Sequence, residues 1–139
     1  MQQTHPVENP NPADFEPDGE WYSMVAVGQT LYALEPNHGE LVSIQLDGRI
    51  KRVIDISASQ GHLVPTAMAV GPDGNFYIGD LWHFPVTAGS AMVIRGTPDG
   101  QVSVAVTGLA VVNGVAFAAA GRLSVRATGP ACPDPGGPP

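Results

Sequence analysis

The feature that most constrains this chain is a strand-and-turn sentence that is said twice and begun a third time. In the first copy Tyr22–Val27 is an apolar run, Gly28-Gln29 a two-residue turn and Thr30–Glu35 a second run. The Pro36-Asn37-His38-Gly39 turn leads to Glu40–Leu46, and Asp47-Gly48 leads to Arg49–Ile56. Asp-Gly between apolar runs is a strong hairpin signal, because such turns need residues that accept positive φ. The copy therefore reads as four strands in a meander. The second copy runs Thr66–Val70, Gly71-Pro72-Asp73-Gly74 and Asn75–Asp80, then a longer loop from Leu81 to Gly89. Ser90–Arg95, Pro98-Asp99-Gly100 and Gln101–Val106 complete it, and a third opens with Asn113–Phe117 and Gly121–Val125.

Aligned on Ala26, Ala69 and Ala116, the copies lie 43 and 47 residues apart. Four strands recurring at a period of about 40–50 residues is the pattern of propeller blades. Blades are buried on both faces, which explains inner runs that are apolar at consecutive positions instead of alternating. The expected fold is all-β: a partial β-propeller of about two four-stranded blades plus the start of a third. A lone antiparallel meander is the alternative, and the recurring Pro-Asp-Gly and Leu-Tyr/Phe-Tyr placements argue against it. The expected boundaries are an irregular lead-in over 1–20, blade A over 21–62, blade B over 63–108, the start of blade C over 109–126, and a disordered Pro/Gly tail over 127–139. The third copy fades, with Ser124 where the earlier ones carry Tyr32 and Tyr77. A fragment of a longer propeller is expected, its tail from about Ser124 out of frame or unrelated, with blade faces and edge strands left open.

Composition narrows the function classes. Seventeen Gly and fourteen Pro in 139 residues leave little room for long helices. No run reaches the roughly 18 apolar residues of a membrane-spanning helix. The first residues carry neither a basic segment nor an apolar one, so they are no secretory signal. Six Lys+Arg stand against thirteen Asp+Glu, a net charge of −7. Scattered cations on an acidic chain do not make a phosphate-binding surface, so nucleic acid is excluded as a partner. The single Cys132 has no partner for an internal disulfide.

Several strings resemble the ScyD/ScyE family of bacterial propeller proteins. They are Ala13–Glu16 with Trp21–Met24, Leu34–Leu41, His62–Ala67, Gly71–Leu81 and Phe84-Pro85-Val86. The likeness runs from about Ala13 to Leu123 and is more specific than the Pro-Asp-Gly signature shared with NHL-type and gluconolactonase-like blades. It implies a six-bladed, exported parent, mostly of unassigned activity. Against that pattern the opening and closing blades are missing.

Polar residues at strand ends are the candidate binding groups: Glu35, Asn37, His38, Asp80, Trp82 and His83. Glu35, Asn37 and His38 together offer carboxylate, amide and imidazole ligands. The favoured structural reading has Asn37 and Gly39 building a turn with His38 in solvent. Asp80 lies 45 residues after Glu35, at the same place in the next copy. An acid there commonly accepts turn N–H bonds. Trp82 and His83 sit in the longest loop, a recognition loop or a plug over the blade edge. His62 reads as structural. Asn113-Gly114 resembles the Asn-Gly that supplies one metal ligand in gluconolactonase-type propellers, which makes Glu35, Asp80 and Asn113 a candidate set for Ca²⁺ or Mg²⁺.

No GxSxG elbow, P-loop, HExxH or zinc spacing occurs, which leans against catalysis. The leading expectation is a binding scaffold for a small molecule or a protein. Its rival is a metal-dependent lactonase or lyase in which the cation polarises a carbonyl. A third reading is a truncated gene product without independent function.

Overall fold

In a computed structural model, residues 20–82 and 85–129 are described. The expected lead-in up to residue 19, the candidate His83 and the tail from residue 130 lie outside them. Among the described residues, ten strands form three antiparallel units. Blade A is β1 (Ser23–Val27), β2 (Thr30–Glu35), β3 (Glu40–Ile44) and β4 (Ile50–Asp55), hydrogen-bonded in that order. A single helical turn, α1 (Ile56–Gln60), follows. Blade B is β5 (Pro65–Val70), β6 (Phe76–Asp80), β7 (Ala91–Gly96) and β8 (Val102–Leu109), again a meander. The third unit is the hairpin β9 (Val111–Phe117) and β10 (Leu123–Thr128). Strand β10 reaches Thr128, so blade C runs two residues past its expected end. The innermost strand of each unit packs on the next, β1 on β5 and β5 on β9. The fold is all-β and propeller-like.

The turns show why these residues form these hairpins. Residues 45–49, 71–75, 97–101 and 118–122 make the same loop. In each, the first N–H donates to the fifth carbonyl and the fourth N–H to the first carbonyl, at 2.8–3.0 Å. The fourth residue is Gly48, Gly74, Gly100 or Gly121, with φ of 84°, 76°, 96° and 75°. Only glycine holds that left-handed geometry at little cost. The Ala118–Arg122 loop keeps it without the Asp that precedes the glycine in the other three. At Asp73 the carboxylate also accepts from Asn75 N, Asn75 Nδ2, Tyr77 Oη and Arg95 Nε. The Asn75 side chain foremost, with Arg95 and Tyr77, holds this exposed carboxyl well below the usual range.

Two apolar layers hold the units together. Between A and B lie Leu34, Leu41, Ile54, Ile56, Leu63, Phe76, Ile78 and Ile94. Between B and C lie Ala91, Val93 and Val112, flanked by Tyr77, Val115 and Val125. An aromatic pair marks each layer: Tyr32 on Phe76 with ring centres 4.7 Å apart, and Tyr77 on Phe117 at 4.8 Å.

Strand register corrects the alignment on Ala26. Tyr32 and Tyr77 are equivalent, and their cross-strand partners are Val25 and Ala69. Val25, not Ala26, therefore stands where Ala69 stands. The cause is a turn one residue longer in blade B: four residues separate Ala26 from its partner Leu31, five separate Val70 from Phe76. A slip of one exchanges the two faces of a strand. With the corrected register Val25 and Tyr32 face blade B, while Tyr77 faces the hairpin.

Gly79 on β6 is where the B–C layer comes closest. A Cβ there would press on Val112 Cγ1 and lie 3.1 Å from Val112 Cβ and Val115 Cγ2. Gly96 on β7 would meet only the tip of Ile54, with Ile54 Cγ1 at 3.8 Å. Gly79→Ala is expected to cost about 1–3 kcal/mol by overpacking against β-branched stems. Gly96→Ala is expected to cost about 1 kcal/mol or less, because rotating Ile54 relieves the contact. Urea denaturation of both variants checks the order, and equal losses would refute the account of the layer.

Candidate functional site

The polar residues concentrate at the strand ends of blade A, around the β2–β3 turn. Glu35 closes β2 and folds back over its own turn. Its Oε1 accepts Asn37 N–H at 3.2 Å, and its Oε2 accepts His38 N–H at 2.7 Å. The same Oε2 lies 2.6 Å from His38 Nδ1. A carboxylate only accepts, so Nδ1 carries the proton and the tautomer is set. Glu35 and His38 are 7% and 5% exposed, so the expectation of a solvated His38 is overturned. The residue is drawn under the turn by the carboxylate. Gly39, at φ 63°, leaves room for Ser57 Oγ where a Cβ would stand. Its carbonyl accepts Ile56 N–H and Ser57 N–H at 2.9 and 3.2 Å, tying the turn to α1.

Beside it is an ion-pair group that the sequence reading missed. Arg52 on β4 pairs with Glu40 through Nη2 and with Asp55 Oδ2 through Nη1 at 3.0 Å. Asp55 Oδ1 accepts Ala58 N–H at 3.0 Å, which caps α1. Glu40 and Asp55 are directly opposite in the ladder, two like charges bridged by one guanidinium.

Asp80 fills the corresponding place in blade B and is fully buried. Its Oδ1 accepts Val64 N–H at 3.0 Å and Trp82 N–H at 2.9 Å. This second bond holds Trp82 at φ 65°, a conformation strained for a bulky side chain. The indole packs against both apolar layers, so Trp82 is half-buried. Asn113 sits exposed on β9 and donates from Nδ2 to Thr128 Oγ1 at 3.1 Å.

The fit of these residues to a shared cation follows from their bonds. Glu35 spends three of about four lone-pair directions on its own turn, and Asp80 Oδ1 holds two amides. Asn113 turns to its neighbour on β10. As placed, each of the three is engaged in hydrogen bonds within the protein. Among the described residues, no group of three or more His, Cys, Asp or Glu side chains is arranged to hold a metal. No helix of the described residues is long and apolar enough to cross a membrane.

No curated protein matches this sequence. The family model described as the SMP-30/gluconolactonase/LRE-like region, a β-propeller family, matches residues 1–125. With meanders of matching topology already seen in blades A and B, that coverage decides the family. The chain belongs to the SMP-30/gluconolactonase/LRE-like β-propeller family.

Proposed function

We propose that the chain is a ScyD/ScyE-like propeller unit acting as a binding scaffold and not as a catalyst. One observation carries the reading: of the equivalent acids, Glu35 accepts amides of its own turn through both oxygens, and Asp80 accepts the amides of Val64 and Trp82 through Oδ1. Groups so employed fix the loops that a scaffold presents, whether to a small molecule or to a protein.

The family description favours one competitor, a lactonase using Ca²⁺ or Mg²⁺. A cation bound by Glu35, Asp80 and Asn113 would supply Lewis-acid polarisation of a carbonyl. It would have to bind through lone pairs other than those that hold these amides. Calorimetric titration of the folded chain with Ca²⁺, Mg²⁺ and Zn²⁺, alongside a lactone-hydrolysis assay, separates the two. The scaffold reading expects no saturable heat and no hydrolysis. Saturable binding that disappears in Asn113→Ala, whose side chain is exposed, would establish the lactonase reading instead.

A further inference from the structure

We infer that a cavity on blade A, where the β3–β4 hairpin turns, binds a small organic carboxylate with Lys51 as its counter-charge. The cavity has a volume of about 470 Å³ and is lined by Ser43, Gln45, Arg49, Ile50 and Lys51. Pockets of roughly 300–1,000 Å³ are the size that takes small ligands. Ser43 stands opposite Tyr32 in one direction and opposite Lys51 in the other. The Tyr32 ring packs on Phe76, so these cross-strand partners lie on the face whose neighbour, blade B, is in place. Gln45 and Arg49 follow two residues along on the same face. Glu35 and His38 are at the opposite end of these strands, and the cavity owes nothing to what they bind.

Blade B shows what a carboxylate does in this place. From the equivalent Tyr32 and Tyr77, the register leads to Ser43 and Arg95, and from these to Lys51 and Ser103. Each blade thus carries one cation and one serine as direct partners, exchanged between the two strands. In both, the serine Oγ donates to its partner's carbonyl, Ser43 to Lys51 at 3.3 Å and Ser103 to Arg95 at 3.5 Å.

The charges are met differently. In blade B the Arg95 Nε donates to Asp73 at 3.0 Å, from the longer β5–β6 loop. The β1–β2 turn of blade A is one residue shorter, runs Val27-Gly28-Gln29-Thr30 and supplies no acid. Arg49 is already turned to Asp47 at 2.7 Å. Lys51, the one lysine of the sequence, takes part in none of the ion pairs among the described residues. The cavity therefore keeps one uncompensated ammonium, on a chain of net charge −7.

A ligand carboxylate takes the part that Asp73 plays in blade B. Lys51 offers it a charged donor. Gln45 offers an amide donor, held elsewhere only by a 3.4 Å bond from Nε2 to Thr30 Oγ1. One uncompensated cation calls for one carboxylate, and the remaining volume suits the body of an organic acid better than a bare inorganic ion.

The single lysine makes the test direct, because the full chain labelled with ¹³C-lysine gives one lysine side-chain NMR signal. Hexanoate, hexanamide and inorganic phosphate are titrated at constant ionic strength. Hexanoate is expected to shift the Lys51 Cε signal saturably at millimolar concentration. Hexanamide should bind about fivefold more weakly, the worth of one part-solvated ion pair. Lys51 is exposed, so Lys51→Gln should keep the fold, and its backbone amides at residues 43–51 should need about fivefold more hexanoate to shift. A shift that never saturates overturns the proposal, and so does hexanamide binding as well as hexanoate. Lys51→Gln with wild-type affinity overturns the role of Lys51, and phosphate binding as tightly as hexanoate replaces the organic acid by any anion.

Discussion

Arg52→Leu is expected to destabilise the chain by about 3–5 kcal/mol, the largest loss from any one side chain of the blade A cluster. The guanidinium stands between Glu40 and Asp55, and the Glu40 side chain is only 6% exposed. Removing the cation leaves a buried carboxylate unpaired and faces it with a like charge directly across the ladder. A loss that size approaches the whole stability of many domains, so the single variant could fail to fold. The double variant Glu40→Leu with Arg52→Leu keeps the test decisive, because removing both partners restores most of the loss. Chemical denaturation of both reads the difference. A single variant within about 0.5 kcal/mol of wild type, the range of ordinary surface changes, would mean that the cluster is solvated.

That cluster also shows where legibility in the sequence ends. The meander order followed from the Asp-Gly turns at 47–48, 73–74 and 99–100, since a glycine at positive φ marks the reversal whatever lies around it. Carrying on the register next to the turn, where Ile44 stands opposite Ile50, would set Glu40 opposite Ile54. An irregularity between Leu41 and Val42 sets it opposite Asp55 instead, and that displacement assembles the ion-pair group. No local residue signals it, because bulges answer to the packing of the whole sheet. The alignment on Ala26 failed for a related reason. In Met24-Val25-Ala26-Val27 every residue is apolar, so no alternation says which side chains face blade B. His38 was hidden by its type: a histidine beside Asn and Gly reads as a solvated turn until the Glu35 carboxylate is seen to hold its Nδ1. The equivalence of Glu35 and Asp80 was legible, since spacing alone matched them, and so was their use by turn amides.

Replacing Asp80 decides by sign between the two roles open to that acid. If its work is to hold the turn, Asp80→Ala is expected to cost about 3 kcal/mol. The variant strands the amides of Val64 and Trp82 beneath a fully buried position and leaves a small void. The conservative Asp80→Asn should cost less, about 1–2 kcal/mol, because one carbonyl oxygen can still accept both amides. Amide exchange at Val64 and Trp82 should quicken in the alanine variant. A ligand acid behaves the opposite way: kept for function at the expense of stability, it leaves the fold unchanged or firmer when removed. Thermal unfolding of the two variants without added metal therefore discriminates before any substrate is known. A stabilised Asp80→Ala would turn the reading toward a cation site and toward the lactonase chemistry that goes with it. A destabilised one, graded through Asp80→Asn, ties the acid to the backbone strain at Trp82, where φ is 65° and the neighbouring carboxylate is what keeps it so.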